Sequence, residues 1–209
     1  MVKIKIPPSK SVAHRAILGA SLANGESIIH NIDMSEDIKA TLECVINLGA
    51  KSHMDNGKLY INGTNMLKIN HEVTLDANES GSTLRFMIPI SLLTGQKVTF
   101  IGKGKLMERP QGPYFDLFEE KNITYNHTKE KLEVQGKLVP GQYILPGNVS
   151  SQFVTGLLFA LPKLQAKSEI ILSTQLESVR IHRFNFRCTK RFWFENRKSK
   201  SPKIYHITV

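Results

Sequence analysis

The apolar positions of this chain switch repeatedly between strand and helix periods. Residues 2–6 alternate Val and Ile with Lys, a short strand that Pro7-Pro8 ends. Residues 11–23 form an apolar helix with Ser9 or Ser11 as its cap, and Asn24-Gly25 turns the chain into a strand at 27–32. Ser35 opens a second helix, with Glu36 and Asp37 at the positive end of its dipole. That helix carries Ile38, Leu42, Val45 and Ile46 on one face and stops at Gly49. Strands at 51–54 and 59–62 follow, joined through Asp55-Asn56-Gly57, a strong hairpin signal.

The pattern then starts again. A helix is predicted at 82–93, a turn at Thr94-Gly95 and a strand at 97–101. A helix at 110–121 has Pro110 in its first turn, and strands at 123–126 and 132–135 pair after it. A third cycle opens with a helix at 151–161 and a strand at 169–173. LANGESIIHNI, LLTGQKVTFIG and LPKLQAKSEIILST hold the same place in each cycle. The unit is helix–strand–helix–strand–strand, it recurs about every 70 residues, and its third copy does not read to the end. The fold class is therefore α/β, built from one repeated supersecondary unit.

Composition narrows the setting. The 209 residues suffice for one large domain or two small ones, and 41% hydrophobic with 22% charged content excludes a disordered chain. Cys44 and Cys188 are too few for a disulfide scaffold or a cysteine-rich zinc site. The opening MVKIKIPPSKS has no apolar core of a signal peptide, and no apolar run is long enough to span a bilayer, so a cytoplasmic address is expected. The formal net charge of +10 points to nucleic acid, an acidic surface or an anionic substrate. Its distribution decides among them. Residues 180–209 hold nine basic residues and one acid, a net +8, whereas residues 1–179 hold 19 basic and 17 acidic, a net +2.

Candidate chemistry sits where the three leading helices begin. The motifs are PPSKSVAHRA, with Lys10, Ser11 and Arg15; NESGSTLRF, with Ser80, Gly81, Ser82, Thr83 and Arg85; and GNVSSQF, with Ser150, Ser151 and Gln152. A helix start offers unpaired N–H groups and partial positive charge, small residues permit close approach, and Lys and Arg supply full charges. Helix capping alone accounts for any one of these motifs. Three of them at one repeat position imply helix starts that converge on a phosphate-rich ligand. A fourth motif is Met107-Glu108-Arg109-Pro110. His14 has no His/Cys/Asp cluster around it in sequence and is not a metal ligand, and Cys44 reads as a core thiol. No phosphate-binding loop of the nucleotide-hydrolase type, dinucleotide fingerprint or nucleophile elbow occurs.

Together PSKSVAHRA, ESGSTLRF, MERP, VSSQF and LESV resemble the 5-enolpyruvylshikimate-3-phosphate synthase family in order and spacing over residues 1–179. The resemblance implies repeated βαβαββ units of the enolpyruvyl transferase fold, an inside-out α/β barrel-like arrangement, with the first domain alone present and incomplete. It implies shikimate 3-phosphate contacts at Lys10, Ser11, Arg15, Ser150, Ser151, Gln152 and Ser178. Phosphoenolpyruvate contacts are implied at Lys10, Gly81, Arg85, Arg109 and Gln152, with the space beside Gly81 open to that substrate and to glyphosate. It implies enolpyruvyl transfer with no metal or cofactor, small-molecule partners, no nucleic acid or membrane, and a monomer for the intact family member. One departure is Glu79, where the commoner pattern has Asn; a carboxylate there repels anions unless a cation pairs with it. The related UDP-N-acetylglucosamine enolpyruvyl transferases are an alternative that PSKS and VSSQF argue against. A non-catalytic phosphate-ligand-binding fragment is another.

After Val179 the composition changes abruptly to RIHRFNFRCTKRFWFENRKSKSPKIYHITV, with neither an amphipathic helix nor a clean strand. Back-translation of Arg180 onward with A/T-rich codons, with the first base dropped, yields EYIDLTLDVLKDFGLKIENQ, which resembles the family's continuation. Residues 180–209 are therefore expected to be an out-of-frame tail, with acid–base residues belonging to a C-terminal domain this chain lacks. A basic nucleic-acid-binding tail is the competing reading.

Overall fold

The computed structural model describes residues 8–164, 166–174 and 207–208. The strand expected at 2–6, Ser178 and nearly all of the basic tail lie outside the described residues.

The chain runs as α1 (Lys10–Leu22), β1 (Glu26–Ile29), α2 (Glu36–Asn47), β2 (Lys51–Asp55) and β3 (Lys58–Asn62). Next come β4 (Val73–Asp76), α3 (Gly81–Ser91), β5 (Val98–Ile101), α4 (Gly112–Glu120), β6 (Thr124–His127) and β7 (Lys131–Gln135). It continues with β8 (Gln142–Leu145), α5 (Ser151–Ala160) and β9 (Glu169–Leu172), and the two-residue strand β10 (Ile207–Thr208) lies parallel to β9. Among the described residues three sheets form, ordered β1-β3-β2, β4-β5-β7-β6 and β10-β9-β8. In the middle unit β4 and β5 are parallel across α3, while β5, β7 and β6 pair antiparallel, which is the complete βαβαββ unit.

The helices and hairpins follow the sequence signals closely. Asn56 and Gly57 both have positive φ (47° and 72°), the backbone a two-residue hairpin turn demands, and β2 and β3 pair in register from Lys51↔Asn62 to Asp55↔Lys58. Three expectations are corrected. The strand at 27–32 stops at Ile29, because Asn31 enters the left-handed region at φ 52°. The helix expected from Pro110 begins at Gly112, with Pro113 in its first turn, so Pro110 belongs to the preceding loop. The strands β4 and β8, which precede the second and third leading helices, add to the expected elements.

One continuous core joins the units. Ile17, Leu18 and Leu22 of α1, Ile38 and Cys44 of α2, Phe86 and Met87 of α3, and Phe153 and Phe159 of α5 are all essentially sealed from solvent. Each such aliphatic or aromatic side chain contributes about 1.5–3 kcal/mol of burial free energy. Cys44 is wholly buried with its thiol directed at the Asp76 carbonyl, and burial pushes that thiol up, out of the reactive range. The leading helices meet most closely where α3 crosses α5. A Cβ built on Gly156 stands 2.6 Å from Pro89 Cγ and from the Tyr114 hydroxyl, so only glycine permits this separation. No helix among the described residues is long and apolar enough to cross a membrane.

Candidate active site

The starts of α1, α3 and α5 come together, and side chains from each reach the others. Arg15, one turn into α1 and 4% exposed, is the clearest case. Its Nη1 donates to the Ser11 carbonyl at 2.8 Å and its Nη2 to Thr155 Oγ1 of α5 at 3.4 Å, while its guanidinium lies 5.3 Å from the centre of the Phe86 ring of α3. Lys10, at the exposed end of α1, pairs with Asp37 in the first turn of α2 at 2.6 Å. Both groups are partly solvated, which holds the net value of the pair to about 1 kcal/mol or less. Ser11 is exposed beside it.

Arg85 and Gln152 join α3 to α5. Arg85 Nη1 donates to Gln152 Oε1 at 2.8 Å, and Gln152 Nε2 donates to Ser82 Oγ at 2.8 Å. Arg85 Nη2 donates to the Pro110 carbonyl at 3.2 Å, tying in the loop that carries Arg109. Burial pushes Arg85 below the usual guanidinium range; Tyr114 opposes this and the Arg109 charge adds to it. Arg109 itself is exposed and extends over the start of α3, its Nη1 2.5 Å from where a Cβ on Gly81 would stand. The two residues assigned by resemblance to the same ligand, Gly81 and Arg109, are thus in contact. Ser150 is the N-cap of α5, its Oγ accepting from the Gln152 amide at 3.3 Å, and Ser151 follows in the first turn. Ser80 caps α3 in the same way through the Thr83 amide. Capping thus accounts for the side chains of Ser80 and Ser150. Ser9 occupies the N-cap of α1 without a side-chain cap bond.

Several participants are not apparent from the sequence. His14 is 3% exposed, and its Nδ1 lies 2.7 Å from Thr41 Oγ1 of α2. Thr41 Oγ1 lies 2.6 Å from Thr83 Oγ1 of α3, and Thr83 Oγ1 lies 2.8 Å from Ser80 Oγ. This buried polar chain fastens α1, α2 and α3 to one another near their starts. Burial lowers His14 to about 4; Asp37 opposes the shift, and Arg15 and Lys10 reinforce it. Tyr114 is a second. Pro89 lacks the N–H that would bond the Arg85 carbonyl inside α3, and the Tyr114 hydroxyl donates to that carbonyl at 2.8 Å, with the Phe153 carbonyl at 2.9 Å. The sequence signal for Tyr114 is indirect, a mid-helix proline with an aromatic hydroxyl elsewhere. Threonines at 41 and 83 carry none. Glu79 is exposed and has no ion-pair partner among the described residues; its Oε1 faces Gly104, between Lys103 and Lys105. No group of three or more His, Cys, Asp or Glu able to hold a metal occurs among the described residues.

This arrangement of repeated α/β units around convergent helix starts is the fold of a solved EPSP synthase from Acinetobacter baumannii. The likeness covers 91% of this chain and 42% of that one, with a TM-score of 0.69 and 23% identity. Residues 2–184 match the family profile described as EPSP synthase (3-phosphoshikimate 1-carboxyvinyltransferase), and the chain belongs to that family. Among curated relatives, the 3-phosphoshikimate 1-carboxyvinyltransferase of Clostridium perfringens strain SM101 is 53% identical over 177 residues, 84% of this chain and 42% of that protein. The namesake from Clostridioides difficile is 46% identical over 186 residues, 84% of this chain and 43% of that protein. That of Clostridium acetobutylicum is 46% identical over 210 residues, 98% of this chain and 49% of its own length. The chain therefore spans less than half the length of these relatives.

Proposed function

We propose that this chain supplies the shikimate 3-phosphate side of a 3-phosphoshikimate 1-carboxyvinyltransferase, together with part of the phosphoenolpyruvate side. The observation that carries the proposal is Arg15, a buried guanidinium between the starts of α1 and α5 and the face of α3. Its surroundings fit an anion arriving at the joint mouth of the helices. Lys10, Ser11, Ser150, Ser151 and Gln152 surround that mouth as phosphate and hydroxyl contacts, and Ser178 is assigned with them by resemblance. Gly81 and Arg109 hold phosphoenolpyruvate, with Lys10 and Gln152 reaching both ligands.

In the proposed reaction the 5-hydroxyl oxygen of shikimate 3-phosphate bonds to C2 of phosphoenolpyruvate as C3 gains a proton. The hydroxyl proton leaves to a base. C3 then returns its proton as the C2–O bond to phosphate breaks, leaving an enolpyruvyl ether and inorganic phosphate. Two polyanions must share one pocket. The task of these residues is therefore positioning and charge neutralisation, which fixed Arg and Lys groups perform without reorganising during the step. The ligands are cytoplasmic small molecules of aromatic amino acid biosynthesis, and the intact family member acts as a monomer without nucleic acid.

Calorimetric titration of residues 1–209 with shikimate 3-phosphate tests the proposal. Saturable binding is expected, weakened at least tenfold by Arg15→Ala, since a buried charge-assisted contact is worth about 1.5–3 kcal/mol. Phosphate release with both substrates is expected to be undetectable, because none of the residues assigned here is given the role of the reaction's acid or base. Absence of any binding overturns the assignment.

We further propose that residues 180–209 are encoded out of frame. The jump in net charge after residue 179 supports this.

A further inference from the structure

Resemblance assigns Arg85 to phosphoenolpyruvate, but its contacts describe a different task. Its Nη1 is engaged by Gln152 Oε1 and its Nη2 by the Pro110 carbonyl, and its guanidinium carbon lies 4.8 Å from the centre of the Phe153 ring. Its Nε is buried without a hydrogen-bond partner, so the fork is turned toward protein acceptors on two sides. Among the described residues no carboxylate pairs with it. A charge used to grip a ligand is best left with its donors facing the pocket. This one has a donor on each terminal nitrogen committed to neutral acceptors in two different segments.

Both acceptors belong to the ligand-facing machinery. Gln152 has one oxygen and one amide nitrogen, and Arg85, which can only donate, fixes that the oxygen is the end it meets on α3. With Oε1 held by Arg85, Nε2 is directed to Ser82 Oγ at 2.8 Å. Pro110 follows Arg109 directly, so the bond to its carbonyl sets the height at which the Arg109 guanidinium lies over Gly81. The backbone of Arg85 is fixed in turn, because the Tyr114 hydroxyl takes the carbonyl that Pro89 leaves without a donor.

We propose that Arg85 is a positioning residue, which orients the Gln152 amide and seats the Arg109 loop, so that two ligand groups from different units are set by one side chain. The planar fork is essential, because a lysine keeps the charge but cannot bridge acceptors in two segments at fixed angles. This assignment rests on the ligand reading proposed above.

The test is a double-mutant cycle on the 209-residue chain with Arg85→Lys, Gln152→Ala and the pair, read by shikimate 3-phosphate calorimetry. It is joined to the side-chain amide signals of Gln152 in a nitrogen–proton correlation spectrum without ligand. Each single variant is expected to weaken binding about tenfold, and the pair scarcely more than either, because Gln152 without Arg85 is no longer oriented. The Gln152 amide pair is expected to move to the position of exposed glutamine in Arg85→Lys. Additive losses, or a Gln152 signal unmoved in Arg85→Lys, overturn the proposal. If Arg85→Lys fails to fold, Gln152→Ala is read instead through the Arg85 guanidinium protons. Their unchanged shift and exchange rate overturn it, and their loss of protection supports it. If the parent chain binds no shikimate 3-phosphate, the ligand reading fails, while the amide signals still decide the role of Arg85.

Discussion

At the scale of single residues, His14 makes the sharpest thermodynamic statement. It is buried against Thr41 and set edge-on to Phe86, with ring centres 6.1 Å apart, and burial holds its pKa near 4 against an ordinary value of 6.5. The unfolded chain therefore binds a proton at a pH where the folded chain does not, and stability rises with pH between those two values. The contribution of neutral His14 is complete above about pH 6.5 and is lost as pH falls toward 4. Across that window the loss is on the order of 3 kcal/mol, because a tenfold change in proton affinity is worth about 1.4 kcal/mol. Urea unfolding at pH 7 and at pH 4.5 is expected to show this loss in the parent chain and a much flatter profile in His14→Gln. An equal slope in both removes His14 as the cause. Glu133 titrates in a separate, lower window. Its hydrogen bonds to Lys97, Asn126 and Lys131 hold it at about 2, so its contribution is present above 4.5 and fades only below that. At this scale the sequence is half legible. Lys10, Arg15 and Arg85 stand out because charge near a helix start is a local signal, and Gln152 and Arg109 because they lie in the motifs VSSQF and MERP. Thr41 and Thr83 do not, because each acts through a partner about 27 to 42 positions away in the chain.

At the scale of elements, the helices are legible and two strands are not, for a physical reason. An amphipathic helix repeats its signal over three turns and is bounded by caps and glycine. The strands β4, read as Val-Thr-Leu-Asp, and β8, read as Gln-Tyr-Ile-Leu, are four residues long and mix polar with apolar positions. What makes them strands is their parallel pairing with β5 and β9, across the helix that separates each pair. The repeat itself implies them, since the sequence pattern of the first unit puts a strand before its leading helix. The α3–α5 crossing is the element-level counterpart. Pro89 removes a helix hydrogen bond, Gly156 lets the helices approach, and Tyr114 restores the missing donor from a third element. Tyr114→Phe is expected to destabilise the chain by about 1–3 kcal/mol, because it strands a buried carbonyl while keeping the ring's packing. Measured by urea unfolding, a change below a few tenths of a kcal/mol shows that the Arg85 carbonyl needs no donor from outside its helix.

At the scale of the whole molecule, the repeat gives an internal standard against which residues 180–209 can be judged. In the first two units the strand after the leading helix, β1 or β5, pairs antiparallel with a hairpin strand, β3 or β7. In the third unit β9 pairs parallel with the two-residue β10 instead, so the rule that built two sheets is broken in the third. The shifted frame supplies, in place of the basic tail, a peptide patterned like the helix that follows β1 in the first unit. The peptide EYIDLTLDVLKDFGLKIEN aligns without gaps on residues 36–54, EDIKATLECVINLGAKSHM. Glu, Ile, Thr, Leu, Gly and Lys coincide, and Val or Leu and Phe fall where the buried face of α2 places Cys44, Val45 and Leu48. An out-of-frame peptide has no physical reason to reproduce the second helix of the first unit together with its terminating glycine. The freely chosen third bases become the middle bases of the shifted codons, so the register depends on that choice at most positions; the glycine, read from the single codon of Trp193, does not. Sequencing the gene across the codons for Val179 and Arg180 is expected to show one surplus base, and its removal is expected to encode that peptide. A continuous frame that still reads Arg-Ile-His-Arg-Phe after Val179, confirmed in the mass of the expressed chain, overturns the expectation and makes the basic tail a genuine part of the protein. With the base removed, the net +8 of residues 180–209 is lost, and residues 1–179 keep their net +2. Under the proposed function, phosphate recognition then falls to individual cations, Lys10 and Arg15 among them, and not to the net charge.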